Sequence, residues 1–269
     1  MRLRIGIRGD SALKFHRIRP AFAIGTLVFR IECTRISRPP KIMEQLSPQL
    51  MNRLVFAVIM HGLNESQTQL ALNVLADALR NESQQIRELA VVALADLCVI
   101  PAKRVPPLAI ALQDTNPRVR RRAARALGEQ GPAALTALVP LMAGLQDNDP
   151  SVRRDCAGAI GRIGAGAAAA APKLVPLLAE PEHRTRAIVA VALKRIGGAS
   201  VPSLLAGVKS TDPELRGRCA TLLGLVAPEN ETIARSLRKA LTDEHAEVRA
   251  RADAALQMVR TPPPMALAN

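Results

Sequence analysis

Apolar residues return along this chain in short blocks of helical period. Counted from Arg120, they fall at −1 (Val119), +3 (Ala123), +6 (Ala126) and +7 (Leu127), and the same offsets recur with few exceptions around Arg87, Arg153, Arg186, Arg216 and Arg249. Offsets of this kind form one stripe on a helix of 3.6 residues per turn. The six arginines are evenly spaced apart from one shorter interval, between Arg186 and Arg216. The pattern therefore predicts a tandem array of one small unit, each unit containing an amphipathic helix anchored on an arginine.

The ends of that helix are specified by residue type. Asn116, Asp149 or Asp212 stands four residues before the anchor and is followed by Pro117, Pro150 or Pro213. This is an N-cap followed by a proline at the first helical position. Gly131, Gly164 and Gly197 at +11 suit the left-handed residue that closes a helix. The rest of each unit reads as a second helix, over 132–145, 172–180, 201–208 and 231–241. Alanine at +3 and +6 lets backbones approach closely, and one hairpin cannot cover its own apolar face, so neighbours must stack on it. The expected fold is all-α, an α-solenoid (alpha-alpha superhelix) of about six helical hairpins over 44–260.

A cation in the first turn opposes the helix macrodipole, so the anchor requires compensation. Six residues earlier lies Asp114, Asp147 or Asp243, with Asn81 and Glu180 in the equivalent places. A carboxylate there can receive the guanidinium fork, within the unit or from the unit beside it. Asp114, Arg120, Asp147, Arg153, Arg186, Arg216, Asp243 and Arg249 are accordingly read as a structural ladder, since recurrence in every unit is what a stacking device requires. The fourth unit departs from the pattern, with Thr185 for valine, Lys194 where glycine is usual, and the shortened interval after it. A local change of solenoid curvature is expected between Arg186 and Arg216.

The D-x-x-x-x-V-R-x-x-A-x-x-A-L-G pattern of Asp114 to Gly128, repeated with variation from Asp147 to Gly161, resembles HEAT repeats of the short type found in phycobilisome-lyase HEAT-like proteins. The resemblance covers roughly 64–260. It implies an Asp–Arg ladder along the solenoid and a concave face lined by the second helices. Ankyrin and tetratricopeptide arrays share the period, but the T-P-L-H-x-A signature is missing, and the chain has no Trp or Tyr.

The segment 1–42 differs in composition. It holds ten Lys or Arg against Asp10 and Glu32, a net +8 of the chain's +14. This basic leader is read as disordered or not natively translated, with Met43 as the start, ahead of a targeting segment or a basic arm for nucleic acid or anionic membrane. The tail 261–269, with three consecutive prolines, is read as disordered or extended. No apolar run is long enough to cross a bilayer, so no membrane span is expected. Four cysteines without a pairing pattern favour a reducing cytoplasm.

Candidate chemistry is sparse. Cys156 and Cys219 occupy the +3 slot that alanine fills elsewhere and read as small core residues; Cys33 and Cys98 show no zinc spacing. Glu182-His183 and Glu244-His245 raise a resemblance to deoxyhypusine hydroxylase, an iron enzyme built from similar repeats. That family places His-Glu pairs just after the anchor, where this chain has Arg121-Arg122, Arg154-Asp155 and Arg218-Cys219. The ligands are absent, and no phosphate loop or nucleophile elbow exists. No catalytic residue, metal or cofactor is expected. Lyase activity on bilins, implied by the resemblance alone, rests on the shared ladder and alanines.

What remains is surface. Arginines off the ladder, at +1, +2, +5 and +9, are assigned to the second helices, which the resemblance places on the concave side: Arg121, Arg122, Arg125, Arg154, Arg162, Arg195, Arg218 and Arg251. They make either a positive groove or a solvated face. From Met43 on, 27 basic and 21 acidic residues leave a modest +6. No aromatic residue follows Phe56, so base stacking is unavailable and nucleic acid could be held through phosphates alone. The expected function is therefore a monomeric, non-catalytic scaffold for a protein partner with an acidic segment. A phosphate or nucleic-acid binder, or an accessory subunit of a lyase-like or hydroxylase-like enzyme, is the alternative.

Overall fold

The computed structural model describes residues 65–97, 100–227 and 230–260. The readings of the leader, of 44–64, of Cys33 and Cys98, and of the tail lie outside these residues. Among the described residues there is no strand. The helices are α1 Glu65–Ala78, α2 Gln84–Asp96, α3 Pro101–Ala111, α4 Pro117–Glu129, α5 Leu138–Gly144, α6 Pro150–Ile163, α7 Ala171–Leu174, α8 His183–Ile196, α9 Val201–Gly207, α10 Pro213–Val226, α11 Glu231–Ala240 and α12 Ala246–Arg260.

The six anchor arginines lie on the even-numbered helices, α2 to α12, which pack side by side as one layer. The intervening segments form the other layer. Counted from α1, the described chain makes six hairpins in which the anchor-bearing helix is the second member. The unit as framed from the sequence, with that helix first, leaves α1 and α12 without partners; the residues are the same and the phase is shifted by half a unit.

The helix boundaries follow their residues. Asn116 accepts a hydrogen bond from the Arg118 amide, Asp149 from Ser151 and Val152, and Asp212 from Glu214, each ahead of its proline. Gly131, Gly164 and Gly197 take φ of 56°, 78° and 74°, a region open to glycine at little cost. The other layer is less regular than the sequence suggests. Gly131–Ala137, Gly164–Ala170, Val175–Ala179 and Gly197–Ser200 are 3₁₀ turns rather than α-helix. Pro176 removes an amide donor that a continuous α-helix over 172–180 would need; Gly164–Ala170 and Gly197–Ser200 lie outside the segments expected to be helical.

The core is aliphatic and alanine-rich. Leu94, Leu127, Ile160, Leu193, Leu223 and Leu256, all at +7, are buried between the layers. Adjacent anchor helices touch through backbone. A methyl group added at Gly128 would lie 3.1 Å from the Ala159 Cα, one at Gly161 2.8 Å from the Ala192 Cα, and one at Gly224 3.0 Å from the Ala255 Cα. Glycine at +8 against alanine at +6 of the next unit thus sets the spacing of α4, α6 and α8, and of α10 and α12.

Between α8 and α10 this spacing fails, in the segment where the sequence departs from the repeat. Lys194 occupies the +8 position of α8, and a lysine cannot fit where glycine allows backbone contact. The two helices stand apart, and Val175–Ala179 packs against both. Arg218 on α10 donates to the Leu178 carbonyl across the gap. At the far end, α12 carries exposed Asp253 and Gln257 at +4 and +8, hydrogen-bonded to each other.

The stretch 183–207 has the length of a membrane span, 25 residues, and its most apolar 18-residue window has a mean hydropathy of 1.4. It is not one helix. Gly197 breaks it at φ 74°, and Arg184, Arg186, Lys194 and Arg195 lie on its first half.

Cys156 and Cys219 are fully buried, and burial pushes both thiols up to about 12. Each Sγ fills the space left by a glycine nine positions before the anchor, Gly144 and Gly207 respectively. Where the +3 residue is alanine, as at Ala123 and Ala252, the upstream position holds alanine as well, Ala111 and Ala240. Size is exchanged between two positions of one hairpin. Gly144→Ala is expected to destabilise by about 1–3 kcal/mol through overpacking, and Cys156→Ala added to it to recover most of that loss. Urea unfolding of the two single variants and the double variant measures the coupling.

Candidate functional site

The anchor arginine sits at the junction of two hairpins. Arg120 is representative. Its Nη1 donates to the Asp114 and Thr115 carbonyls at 2.8 and 3.1 Å, at the end of its own hairpin's first segment. Its Nε and Nη2 donate to both oxygens of Asp147 in the next hairpin, each at 2.7 Å. Asp147 in turn accepts the Asp149 amide at 2.9 Å, which shapes the turn into α6. One carboxylate therefore fixes a turn and ties two hairpins together. Arg87 with Asp114 and Arg216 with Asp243 repeat the fork. Arg153 reaches Glu180 through Nη2 at 3.0 Å, while its Nε is buried without a partner; the longer glutamate accepts only one arm.

Of the two geometries open at the sequence level, the structure takes the bond to the next unit. Two ladder positions lack it. Arg186 donates to the Glu180 and Pro181 carbonyls, and Ser210 stands where other units place a carboxylate. Arg249 donates to the Asp243 and Glu244 carbonyls. Among the described residues both are tied within their own hairpin.

Electrostatics follow the geometry. The Asp147 carboxyl is pushed up by burial, but the Arg120 hydrogen bond, the Asp149 amide and the charges of Arg120 and Arg153 outweigh this and hold it below the ordinary aspartate value. The Arg216 hydrogen bond lowers Asp243 likewise, against a smaller opposing effect of burial. Hydrogen bonding to their aspartates raises Arg87, Arg120 and Arg216.

The eight arginines off the ladder all stand on the anchor-bearing helices and not, as expected from the sequence, on the segments 132–145, 172–180, 201–208 and 231–241, because offsets of +1 to +9 from the anchor stay within the anchor's own helix. Their environments differ. Arg121 and Arg125 share Asp155, at 3.3 and 3.0 Å. Arg122 pairs with Glu88 at 3.0 Å and Arg154 with Glu182 at 2.6 Å. Arg251 pairs with Glu247 and lies over Gly217. Arg218 pairs with Glu214 at 2.6 Å and also holds the Leu178 carbonyl, so it braces the gap between α8 and α10. Arg162, folded over Gly128, and Arg195 are exposed and have no ion-pair partner among the described residues. Arg184 and Lys194, outside the set chosen from the sequence, share that state. The signal for them is present in the chain: α8 carries four Lys or Arg and no acidic residue.

A groove of about 460 Å³ runs between α2 and α4, floored by Val91, Val92 and Ala126 and walled by Arg118, Arg121, Arg122 and Arg125. Glu88, Asp96 and Glu129 line it as well, so its charge is mixed rather than positive. His183 opens α8, exposed. His245 precedes α12, its Nδ1 3.2 Å from Arg216 Nη2. Among the described residues no three His, Cys, Asp or Glu side chains gather as a metal site would need.

Because Asp147 and Asp243 are depressed in the fold, their contribution is present at neutral pH and lost as pH falls through their folded values. The melting temperature is expected to hold between about pH 7 and 5 and to drop below about pH 4, the ordinary aspartate value, with a shallower acid drop in Asp147→Asn. Arg120→Ala removes one partner of a mostly buried pair and is expected to cost about 3 kcal/mol. Arg186→Ala, lacking the cross-hairpin carboxylate, should cost less than half of that. Urea unfolding at pH 7 compares the two variants; equal losses would show that the carboxylate bridge is not what braces the stack.

Residues 105–194 match the family model of HEAT repeats. No curated protein matches the chain. Similar solved structures include an engineered protein, 20% identical, covering 74% of this chain and 99% of that chain at a TM-score of 0.48. An archaeal HEAT-like repeats protein from Thermococcus onnurineus NA1 is 15% identical, with 83% and 98% covered and a TM-score of 0.44. Human deoxyhypusine hydroxylase in complex with glycerol is 20% identical, with 88% and 99% covered and a TM-score of 0.38. Residues 105–194 thus carry HEAT repeats, and the described residues form an all-α solenoid of six helical hairpins.

Proposed function

We propose that this protein is a non-catalytic scaffold that holds a protein partner, through an acidic segment of that partner, on the arginine-bearing face of its anchor helices. The observation that carries this reading is the concentration of cations on one face of one layer, part of it without internal neutralisation: Arg162, Arg184, Lys194 and Arg195. Arg121, Arg122, Arg125, Arg154, Arg218 and Arg251 flank these cations with their charges already paired. They supply a rim that exchanges ion pairs with a partner at little net gain.

The absence of aromatic residues from the described chain removes the usual hot-spot side chains and leaves arginine as the anchor. Affinity in this reading is moderate and falls with salt. Phosphate contacts would share the salt dependence, so nucleic acid is an outcome that the experiment must separate. Cys156 and Cys219, as free and buried thiols, suit a protein that works in a reducing compartment, the cytoplasm. In this reading it acts as a monomer.

The experiment is affinity capture from the native host after nuclease digestion, at low and high salt. The wild type is expected to retain a defined partner at low salt, and Arg162→Glu with Arg195→Glu to lose it with an unchanged melting temperature. Charge reversal at Arg121, Arg122 and Arg125 is expected to weaken capture less, and also to lower stability by breaking the pairs to Asp155 and Glu88. Capture that disappears on nuclease treatment would replace the protein partner with nucleic acid.

A further inference from the structure

Position by position, the exposed stripes of the anchor helices are not equivalent. On α4 the stripe reads Arg118, Arg121, Arg122, Arg125 and Glu129, charged throughout. On α8 the same positions read Arg184, Ala187, Ile188, Val191 and Arg195. The middle is apolar and the ends are cationic. Val191 is 50% exposed, an unusual state for a β-branched aliphatic side chain in a structure whose other valines on these helices are mostly buried. Beside the stripe, α6 presents Gly158, where an added Cβ would lie 3.6 Å from Ile188 Cγ2, so no side chain at that position covers Ile188. On the other side α10 is held away by Lys194 and the 175–179 segment.

We infer that this stripe on α8 is the seat for a polypeptide segment whose apolar side chains lie on Ala187, Ile188 and Val191 and whose flanking carboxylates meet Arg184 at one end and Lys194 with Arg195 at the other. The inference rests on the arginine-face reading above and narrows it to one place and one sequence chemistry, acidic–apolar–acidic. Charge decides the occupant. The helix has no acidic residue of its own; its cations at 194 and 195 have no ion-pair partner among the described residues, and the charge nearest Arg184, on Glu182, is already held by Arg154 at 2.6 Å, whereas the four arginines of the groove on α2 and α4 face four carboxylates, Glu88, Asp96, Glu129 and Asp155. A basic or neutral apolar segment would leave these cations uncompensated at the rim of the contact. From Arg184 to Arg195 the helix rises about 16 Å, matching about three turns of a helical segment laid alongside.

The test uses fluorescein-labelled synthetic peptides, each about four helical turns long, on the full-length protein. One has two glutamates at each end and leucines on one face of its centre; a second has serine in place of each leucine; a third has lysine in place of each glutamate. Fluorescence anisotropy at low salt is expected to show the Glu–Leu peptide binding at least tenfold tighter than the Glu–Ser peptide, with no binding of the lysine peptide. Val191→Asp, an exposed change expected to leave the melting temperature unaltered, should erase the tenfold difference, and Arg184→Glu with Arg195→Glu should abolish binding of both glutamate peptides. Equal binding of the Glu–Leu and Glu–Ser peptides, or a Val191→Asp variant that keeps the preference, overturns the seat while leaving the arginine-face reading in place. Failure of both glutamate peptides to bind overturns the two together.

Discussion

A guanidinium in the first turn of a helix points its charge toward the positive end of the macrodipole, and the stack of hairpins is arranged around relieving that conflict. The relief is shared between two neighbours. Carbonyls at the end of the preceding segment accept one arm, and the carboxylate of the next hairpin accepts the other two. Because that carboxylate also accepts the amide that opens the next turn, the charge, the turn and the register of two hairpins are settled by one group. Helix spacing then follows from glycine at +8, which brings the backbone of the next helix into contact.

The fourth hairpin shows what happens when both devices are missing at once. Lys194 replaces the contact glycine and Ser210 replaces the acceptor carboxylate, in the one short interval between anchors. The gap is filled from the other layer by Val175–Ala179 and pinned by Arg218. The same helix carries three cations, Arg184, Lys194 and Arg195, without an ion-pair partner among the described residues, and the exposed Val191. Where the stack is internally least satisfied, groups not consumed in bracing neighbouring hairpins remain at the face.

Much of this was legible in the residues. The caps at Asn116, Asp149 and Asp212, the glycine stops at Gly131, Gly164 and Gly197, and the irregular fourth unit are local signals, and each appears at its place. The second-layer segments were less legible. Their apolar spacing suits an α-helix, yet Gly131–Ala137 and Val175–Ala179 within them are 3₁₀ turns. The arginine face was legible as a set of residues but not as a set of charges. Asp155 stands next to Arg154 in the chain and neutralises Arg121 and Arg125 from the neighbouring helix; no local pattern announces a bond between separate units. The size matching of the cysteines does have a signal in the chain, the glycine twelve positions upstream of each.

The sequence by itself determined the repeat, the helix ends and the all-α solenoid, since these depend on periodicity, capping and the need of each hairpin for a neighbour, all written within one unit of length. Tertiary structure decided which carboxylate each arginine takes, how far apart α8 and α10 stand, and which cations remain without a partner among the described residues. Those are properties of pairs of units. Net charge sums over residues without regard to place, whereas the field at a surface depends on which charges have found each other.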